Sequence, residues 1–338
     1  MASSSSSRAL NAILPQIAGS PYEAHQKART FAARYVKSGQ FDTAIDVLFQ
    51  SARELLKNGQ AGSGVDLAGF MLEVYEAKSE AVTDESRGRV TQLIALTGAE
   101  GSWRKTLIDK SIAWSAKHGA YPSGDPDLHH YVGALLVKEG AYDTAESQLL
   151  TAGLRDSARL LAEAYIRWME AGGEPGNYAL KGVLPYLLNG NILAARAFIT
   201  KFVSLLPQSE LISSPPLQAG DSVELVQTKD GLINFCQAAV LLCQRANGDR
   251  NKVMRESWVR LCGTYQSRGG VLAHPEVRKI LNDIGGLYFA LPPPRGQAGN
   301  PLGDMMSSLF GGGTPQAQPA RRMLAPALPS PAVPQGLD

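Results

Sequence analysis

Cysteine is scarce. Cys236, Cys243 and Cys262 are the only three among 338 residues, and none belongs to a Cys-x-x-Cys pair. An odd number spread this way builds no disulfide framework, so a reducing, cytosolic setting is the expectation. Cys236 and Cys243 lie seven apart on one helical face and read as small buried apolar side chains. Long hydrophobic runs are missing as well. No stretch approaches the roughly 18 uninterrupted apolar residues of a membrane span. The segment "RALNAILPQIAG" is broken by Pro15 and Gln16 before it could serve as a signal-peptide core. The sequence therefore predicts a soluble protein with no direct membrane insertion. Nor is there a charge excess: 33 basic against 31 acidic residues leave a net charge of +2, too little to attract nucleic acid by bulk electrostatics.

Signatures of catalysis are absent in the same way. There is no Gly-x-Ser-x-Gly, no His-Glu-x-x-His and no acid pair within a surrounding pattern. The glycine-rich "NGQAGSGVD" at 58 to 66 lacks the Gly-Lys-Ser/Thr that would grip phosphates and reads as an interhelix turn. His129 and His130 are adjacent, so on a helix their side chains diverge by about 100 degrees and lack metal-ligand spacing. The expectation is a protein that is not an enzyme and holds no metal and no cofactor.

What the sequence does have is helical periodicity almost throughout. Ala24, Ala28, Phe31, Ala32 and Tyr35 fall on one face at spacings of three and four, as a core-facing helix requires. Gly39 ends that helix, and Phe41, Ile45, Leu48, Ala52 and Leu55 repeat the pattern as far as Gly59. Leu67, Phe70, Met71 and Val74 mark a third. Further helices are predicted at about 84 to 97, 102 to 118, 127 to 138, 142 to 151, 155 to 171, 177 to 189, 191 to 205, 231 to 247, 250 to 267 and 274 to 290. Most are separated by only a few residues, the loop length of helical hairpins. The segment 211 to 231 departs from this: a Pro-Pro, a Gly-Asp and "SVELVQT" point to an inserted β-hairpin.

Three joints share a local pattern: "GQFDTAIDVLF" at 39, "GAYDTAESQLL" at 140 and, more weakly, "GNILAARAFI" at 190. In each, glycine ends one helix, a large apolar residue seats the joint and alanine admits close approach of the next helix. Asp and Thr near the helix start supply side-chain acceptors for free amides. The spacing is irregular, so the fold class read from the chain is all-α, an α-solenoid of tetratricopeptide-like helical hairpins, with the small β-hairpin insertion in its C-terminal half.

The ends differ in composition. Ser-rich "MASSSSSR", with no acidic residue before Glu23, predicts a mostly disordered leader over 1 to 19. Half of the twenty prolines follow Leu291, so 292 to 338 reads as a disordered tail. It carries one short apolar peptide, 300 to 312, "NPLGDMMSSLFGG".

With no catalytic pattern, the surface is where function is sought. On the first of these helices Tyr22, Gln26, Arg29 and Lys37 occupy a sector of about 80 degrees opposite the apolar face, with Arg34 on its shoulder. Tyr and Arg are favoured at contact sites, although any solvated helix face also looks like this. Asp66 and Glu73, seven apart on the third helix, form a similar polar strip of opposite charge.

"YEAHQKARTFAARYVKSGQFDTAIDVLFQSARELL", followed by "GQAGSGVDLAGFMLEVY", resembles the Golgi-to-ER traffic protein 4 family. The likeness extends from about 20 to 312 through "WSAKHGAYPSGDPDLHHYVG", "DGLINFCQAAVLLCQ", "LNDIGGLYFALPPP" and "DMMSSLFGG". It implies a non-catalytic adaptor in delivery of tail-anchored membrane proteins to the endoplasmic reticulum. The N-terminal half, 20 to 150, would dock the homodimeric tail-anchored-protein targeting ATPase in its nucleotide-bound form and restrain hydrolysis. The contacts this implies centre on Tyr22, Gln26, Arg29, Arg34, Lys37, Asp66 and Glu73, with Asp66 the candidate regulator. Lys37 stands where some members have arginine, which keeps the charge and loses the planar fork. The C-terminal half, 151 to 291, would hold the N-terminal segment of a ubiquitin-like-domain protein through Val223, Leu225, Val226, Leu232 and Phe235. That partner recruits a tetratricopeptide co-chaperone, so the co-chaperone is reached indirectly. The alternative from the same broad fold is a tetratricopeptide-type peptide-binding co-chaperone, or a scaffold of another complex. Its Lys and Asn carboxylate clamp cannot be assembled from the irregular repeat.

Overall fold

The computed structural model describes residues 4 to 212, 217 to 218 and 224 to 293. Its helices follow the hydrophobic period closely. α1 is Ser4–Ile13, α2 Pro21–Lys37, α3 Phe41–Lys57, α4 Ala61–Lys78, α5 Asp84–Leu96, α6 Trp103–His118 and α7 Pro126–Lys138. α8 is Tyr142–Ala152, α9 Arg155–Met169, α10 Pro175–Leu188, α11 Ile192–Leu205, α12 Gly231–Arg245, α13 Lys252–Gln266 and α14 Pro275–Phe289. The chain forms two compact units that divide between Leu135 and Leu136.

Among the described residues one glycine-centred turn recurs at four joints. Gly39, Gly59, Gly140 and Gly190 have φ of 74°, 73°, 76° and 75°, the left-handed region that an L side chain adopts only at a cost. At Gly39 the amide donates to the Val36 carbonyl and the next amide, Gln40, donates back to Tyr35. These are the two bonds of a Schellman motif, which satisfy carbonyls a helix end would leave bare. The same pair recurs at Gly59, Gly140 and Gly190. Four residues beyond each turn's last amide donor stands a small buried residue: Ala44, Gly64, Ala145 and Ala195. "NGQAGSG" is therefore a fourth copy of the repeat, and its Gly-Ser-Gly lies within the first turn of α4 rather than in the joint. At Gly64 an added Cβ would fall 2.5 Å from Leu56 Cγ, so α3 and α4 approach too closely there for a side chain.

The expected capping role of Asp42 is not what the fold uses. The N-cap of α3 is Gln40, with no side-chain cap. Asp42 instead pairs with Lys78 of α4 at 2.6 Å, while its charge suits the positive end of the helix dipole.

In the first unit the buried face of α2 is small: Ala24, Ala28 and Ala32, joined by His25. Those alanines let α2 lie against α3 and α4. Tyr75 of α4 and Trp114 of α6 pack with tilted rings, centroids 5.0 Å apart, and Trp114 Nε1 donates to the Glu80 carbonyl at 3.1 Å. The leader expected to be disordered corrects to a helix over 4 to 13. Ser6, Ala9, Ile13 and Ile17 are buried, and Tyr35 Oη donates to the Ser5 carbonyl at 3.1 Å. Serine-rich composition concealed an apolar stripe at helical spacing.

In the second unit one cluster runs from Val137 to Phe289. Its centre is aromatic: Tyr165 meets Phe198 edge-on at 5.8 Å, and Phe198 stacks on Phe202 at 5.6 Å. Cys236 and Cys243 lie in this core, and burial pushes both thiols up. α14 folds back on α10, where Tyr288 Oη donates to the Leu187 carbonyl at 3.0 Å.

Between α11 and α12, β1 (Leu217–Gln218) pairs antiparallel with β2 (Glu224–Leu225), Leu217 opposite Leu225, and Leu211 bridges Thr228. Residues 213 to 216 and 219 to 223 lie outside the described residues, so this ladder is the extent of strand pairing among those described. The tail from 294 onward, with the 300 to 312 peptide, lies outside them as well.

Asp230 then starts α12. Its carboxylate accepts from the Leu232 amide at 2.7 Å and from Gly176 of α10 at 2.8 Å, so one side chain caps two helix N-termini. Asp230→Ala is expected to leave both amides unpaired and to cost about 2 kcal/mol. Denaturant unfolding measures it; a loss within error of zero would show that water replaces the cap.

Candidate functional site

The first candidate surface is built by α2 and α4. Tyr22 is 70% exposed, although it opens a helix whose opposite face is tightly packed. Gln26, Arg34 and Lys37 are exposed as well. At the centre of the surface, Arg29 Nη1 donates to Asp66 Oδ2, and His25 Nε2 donates to the same oxygen at 2.7 Å. His25 Nδ1 in turn accepts from Gln26 Nε2 at 3.3 Å, so the tautomer protonated at Nε2 satisfies both bonds. The Arg29 guanidinium also lies 5.4 Å from the Phe70 ring centre, a cation–π distance.

Asp66 responds to this setting. Burial pushes its carboxyl up, but the hydrogen bonds and charges of Arg29 and His25 outweigh that, and the group lies below its ordinary value. Arg29, Gln26 and Asp66 are thus brought together as one network. Glu73 lies two turns further along α4, exposed and outside that network. Arg34 and Lys37, at the C-terminal end of α2, have no ion-pair partner among the described residues. They are open cations, whereas Arg29 is already neutralised.

Two members of this surface escaped the sequence reading. His25 is buried to 8% exposure yet lies beside the alanine stripe 24, 28 and 32, where a lone polar residue signals a partner on a packed helix, here Asp66 of α4. Trp103, the first residue of α6, is 48% exposed and packs its ring 3.4 Å from where a Cβ on Gly62 of α4 would stand. A polar cleft of about 710 Å³ opens elsewhere in this unit, lined by Asp42, Asp46, Lys78 and Glu80 among others. None of the residues expected from sequence lines it.

The second candidate surface surrounds β2. Gln237 of α12 receives the Val226 amide at 3.1 Å and returns a bond to the Val226 carbonyl at 2.8 Å. Asn234 does the same for Thr228, at 3.0 and 2.7 Å. Two side-chain amides thus imitate a neighbouring strand. They hold Leu225 and Val226 at the edge of a groove of about 410 Å³ whose other wall is α11, with Ile199, Val203 and Val240 at its floor. Leu232 is partly buried against the core. Phe235 is a correction: it is wholly buried and meets Tyr265 edge-on at 5.3 Å, because it falls on the inner face of α12 beside Cys236 and Ala239. Val223 lies outside the described residues.

Helical hairpins that share one recurring turn, with a charged face in the first unit and an apolar groove in the second, place the chain among the all-helical proteins. Comparison narrows this further. The chain belongs to the Golgi to ER traffic protein 4 family, whose family model matches residues 38–310. Golgi to ER traffic protein 4 of Aspergillus fumigatus is 33% identical over 318 residues, covering 88% of this chain and 87% of that protein. The Schizosaccharomyces pombe protein of the same name is 29% identical, with 86% and 91% covered. The human homolog is 26% identical, with 87% and 83% covered. The crystal structure of C. therm. Get4 superposes with a TM-score of 0.77 at 32% identity, covering 93% of this chain and 98% of that one. The resemblance seen in the sequence is thereby borne out. No helix among the described residues is long and apolar enough to cross a membrane.

Because the folded state lowers the Asp66 pKa, its contribution is present above the ordinary value of 3.8 and is lost as pH falls through the lowered one. Asp66→Asn is expected to lower Tm at pH 7, with a stability loss of no more than about 1 kcal/mol for a part-exposed pair. The gap should begin to narrow as pH falls below 3.8 and close once pH has passed through the lowered value. A gap that does not narrow at all in thermal scans taken at successively lower pH below 3.8 would show that the carboxylate charge is not its source.

Proposed function

We propose that this protein is a non-catalytic adaptor in the post-translational delivery of tail-anchored membrane proteins to the endoplasmic reticulum, working in the cytosol. The observation that carries the reading is the family match across residues 38–310, with relatives named for Golgi to ER traffic aligned over most of their own length. The helical pairs act as a degenerate tetratricopeptide-like solenoid, and the pairing of 217 and 218 with 224 and 225 forms the base of a hairpin insertion.

In this reading the N-terminal half, 20 to 150, docks a homodimeric tail-anchored-protein targeting ATPase in its nucleotide-bound form. Tyr22 supplies rigid apolar area, and Arg34 and Lys37 supply unpaired positive charge, a combination favoured at interfaces. Asp66, already engaged by Arg29 and His25, can transmit contact at the surface to the packing of α2 on α4, which suits the residue assigned to regulation of hydrolysis. Glu73 extends that strip. The C-terminal half, 151 to 291, takes the N-terminal segment of a ubiquitin-like-domain protein in the groove beside Leu225 and Val226, with Val223 on the same excursion and Leu232 behind it. That partner brings a tetratricopeptide co-chaperone and its client. Holding donor and acceptor on one scaffold raises their effective concentration, which requires no chemistry of the scaffold itself.

Two measurements test the two ends separately. Arg34→Glu with Lys37→Glu is expected to weaken ATPase binding by at least about tenfold at low salt and to flatten its salt dependence, since the attraction that salt screens has gone. Unchanged titrations would remove this face from the interface. Leu225→Asp is expected to abolish co-purification of the ubiquitin-like partner while helical content stays unchanged; retention of the partner would place that interface elsewhere.

A further inference from the structure

The outer ridge of α11 separates two furrows. One is the apolar groove just described. The other lies between α9 and α11, holds about 410 Å³ and is lined by Arg155, Arg159, Leu193, Arg196 and Lys201 together with small residues. The furrows share Arg196, Thr200 and Ser204, so the ridge between them is low at Thr200 and Ser204.

The charge is one-sided. Among the described residues no carboxylate lines either furrow. Two stand nearby on α9, and each is taken: Asp156 by Arg159 at 2.6 Å and Glu163 by Lys201 at 3.0 Å. Arg155 and Arg196 are exposed and have no ion-pair partner among the described residues. Leu193, at the head of the same furrow, is 55% exposed. Two open guanidinium groups beside an open leucine, adjoining an apolar groove, match a peptide in which an apolar block runs on into an acidic one. Arginine forks bind such carboxylates in bidentate fashion.

We propose that the segment seated in the α11–α12 groove crosses α11 at Thr200 and Ser204 and lays an acidic stretch along Arg155 and Arg196. The inference rests on the reading that this groove takes the ubiquitin-like partner, and it adds the charge and path of the occupant. The apolar groove provides the anchor, and the basic furrow sets direction along α11, because the reversed segment would place its carboxylates against Leu225 and Val226. Electrostatic complementarity of this kind governs orientation and association rate.

The test uses the full chain and the purified ubiquitin-like partner. Arg155→Glu with Arg196→Glu should weaken binding about tenfold and make it less salt-dependent, whereas Arg155→Lys with Arg196→Lys should recover most of the loss. Both arginines are exposed, and glutamate at the first position of α9 suits the helix dipole, so circular dichroism should not change. Carbodiimide treatment of the complex should join a partner carboxylate to the Lys201 amine. Wild-type affinity and salt dependence in the glutamate variant, alongside loss of binding by Leu225→Asp, would overturn the basic path while leaving the groove occupied. Indifference to all of these substitutions would overturn both readings. Binding of phosphatidylserine vesicles or single-stranded RNA that Arg155→Glu with Arg196→Glu abolishes, with partner affinity unchanged in that variant and no partner adduct at Lys201, would assign the charge to another polyanion and overturn the proposal.

Discussion

A helix that must reverse within three residues leaves its last carbonyls bare, and much of this fold follows from how they are covered. Only a left-handed residue lets the amides after the helix fold back onto them, and glycine is the residue that enters that region without strain. Gly39, Gly59, Gly140 and Gly190 do this with φ values that agree within a few degrees. Once the reversal is that tight, the next helix starts close against the previous one. The fourth residue of that helix then has to be small. The recurring sequence pattern is the record of these two demands, one on backbone conformation and one on helix separation, and neither concerns chemistry at a site.

The same economy shapes the surfaces. Charges needed to hold helices together are paired across them, as Lys78 is with Asp42 and Lys181 with Glu146. Cations left over, Arg34, Lys37, Arg155 and Arg196, stand on outer faces with no ion-pair partner among the described residues. Exposed ion pairs contribute little to stability. An open arginine therefore costs the fold almost nothing and remains available to a partner. Arg29 belongs to the other group: it looked equally open in sequence, but it is anchored by Asp66 and the Phe70 ring.

Local information was legible and tertiary information was not. Helix ends from α2 to α14 follow from period, glycine and proline, each acting within a few residues. α1 was hidden because Ser4 to Ser7 read as a polar leader, although Ser6, Ala9, Ile13 and Ile17 already mark a buried stripe. The fourth joint was hidden because Gly62 and Gly64 drew attention from Gly59. At the first surface, Arg29 and Asp66 were each visible, but their pairing spans 37 residues and depends on how α2 lies on α4. At the second, the outward side of α12 could not be separated from its inward side until Asn234 and Gln237 were seen gripping the strand segment, which turns Phe235 into the core.

The return of α14 onto α10 sets an order in time. Every Schellman joint closes between residues a few positions apart, so each can form as soon as its own stretch of chain exists. The hydrogen bond from Tyr288 to Leu187 spans 101 residues, and its loop must close against chain entropy before the contact gives anything back. During synthesis α10 therefore waits, its outer face uncovered, while α11, α12 and α13 are made. The groove beside β2 is bounded by α11 and α12, so its walls are complete before α14 has been made, and a binding surface can exist on a chain whose α14 is still to come.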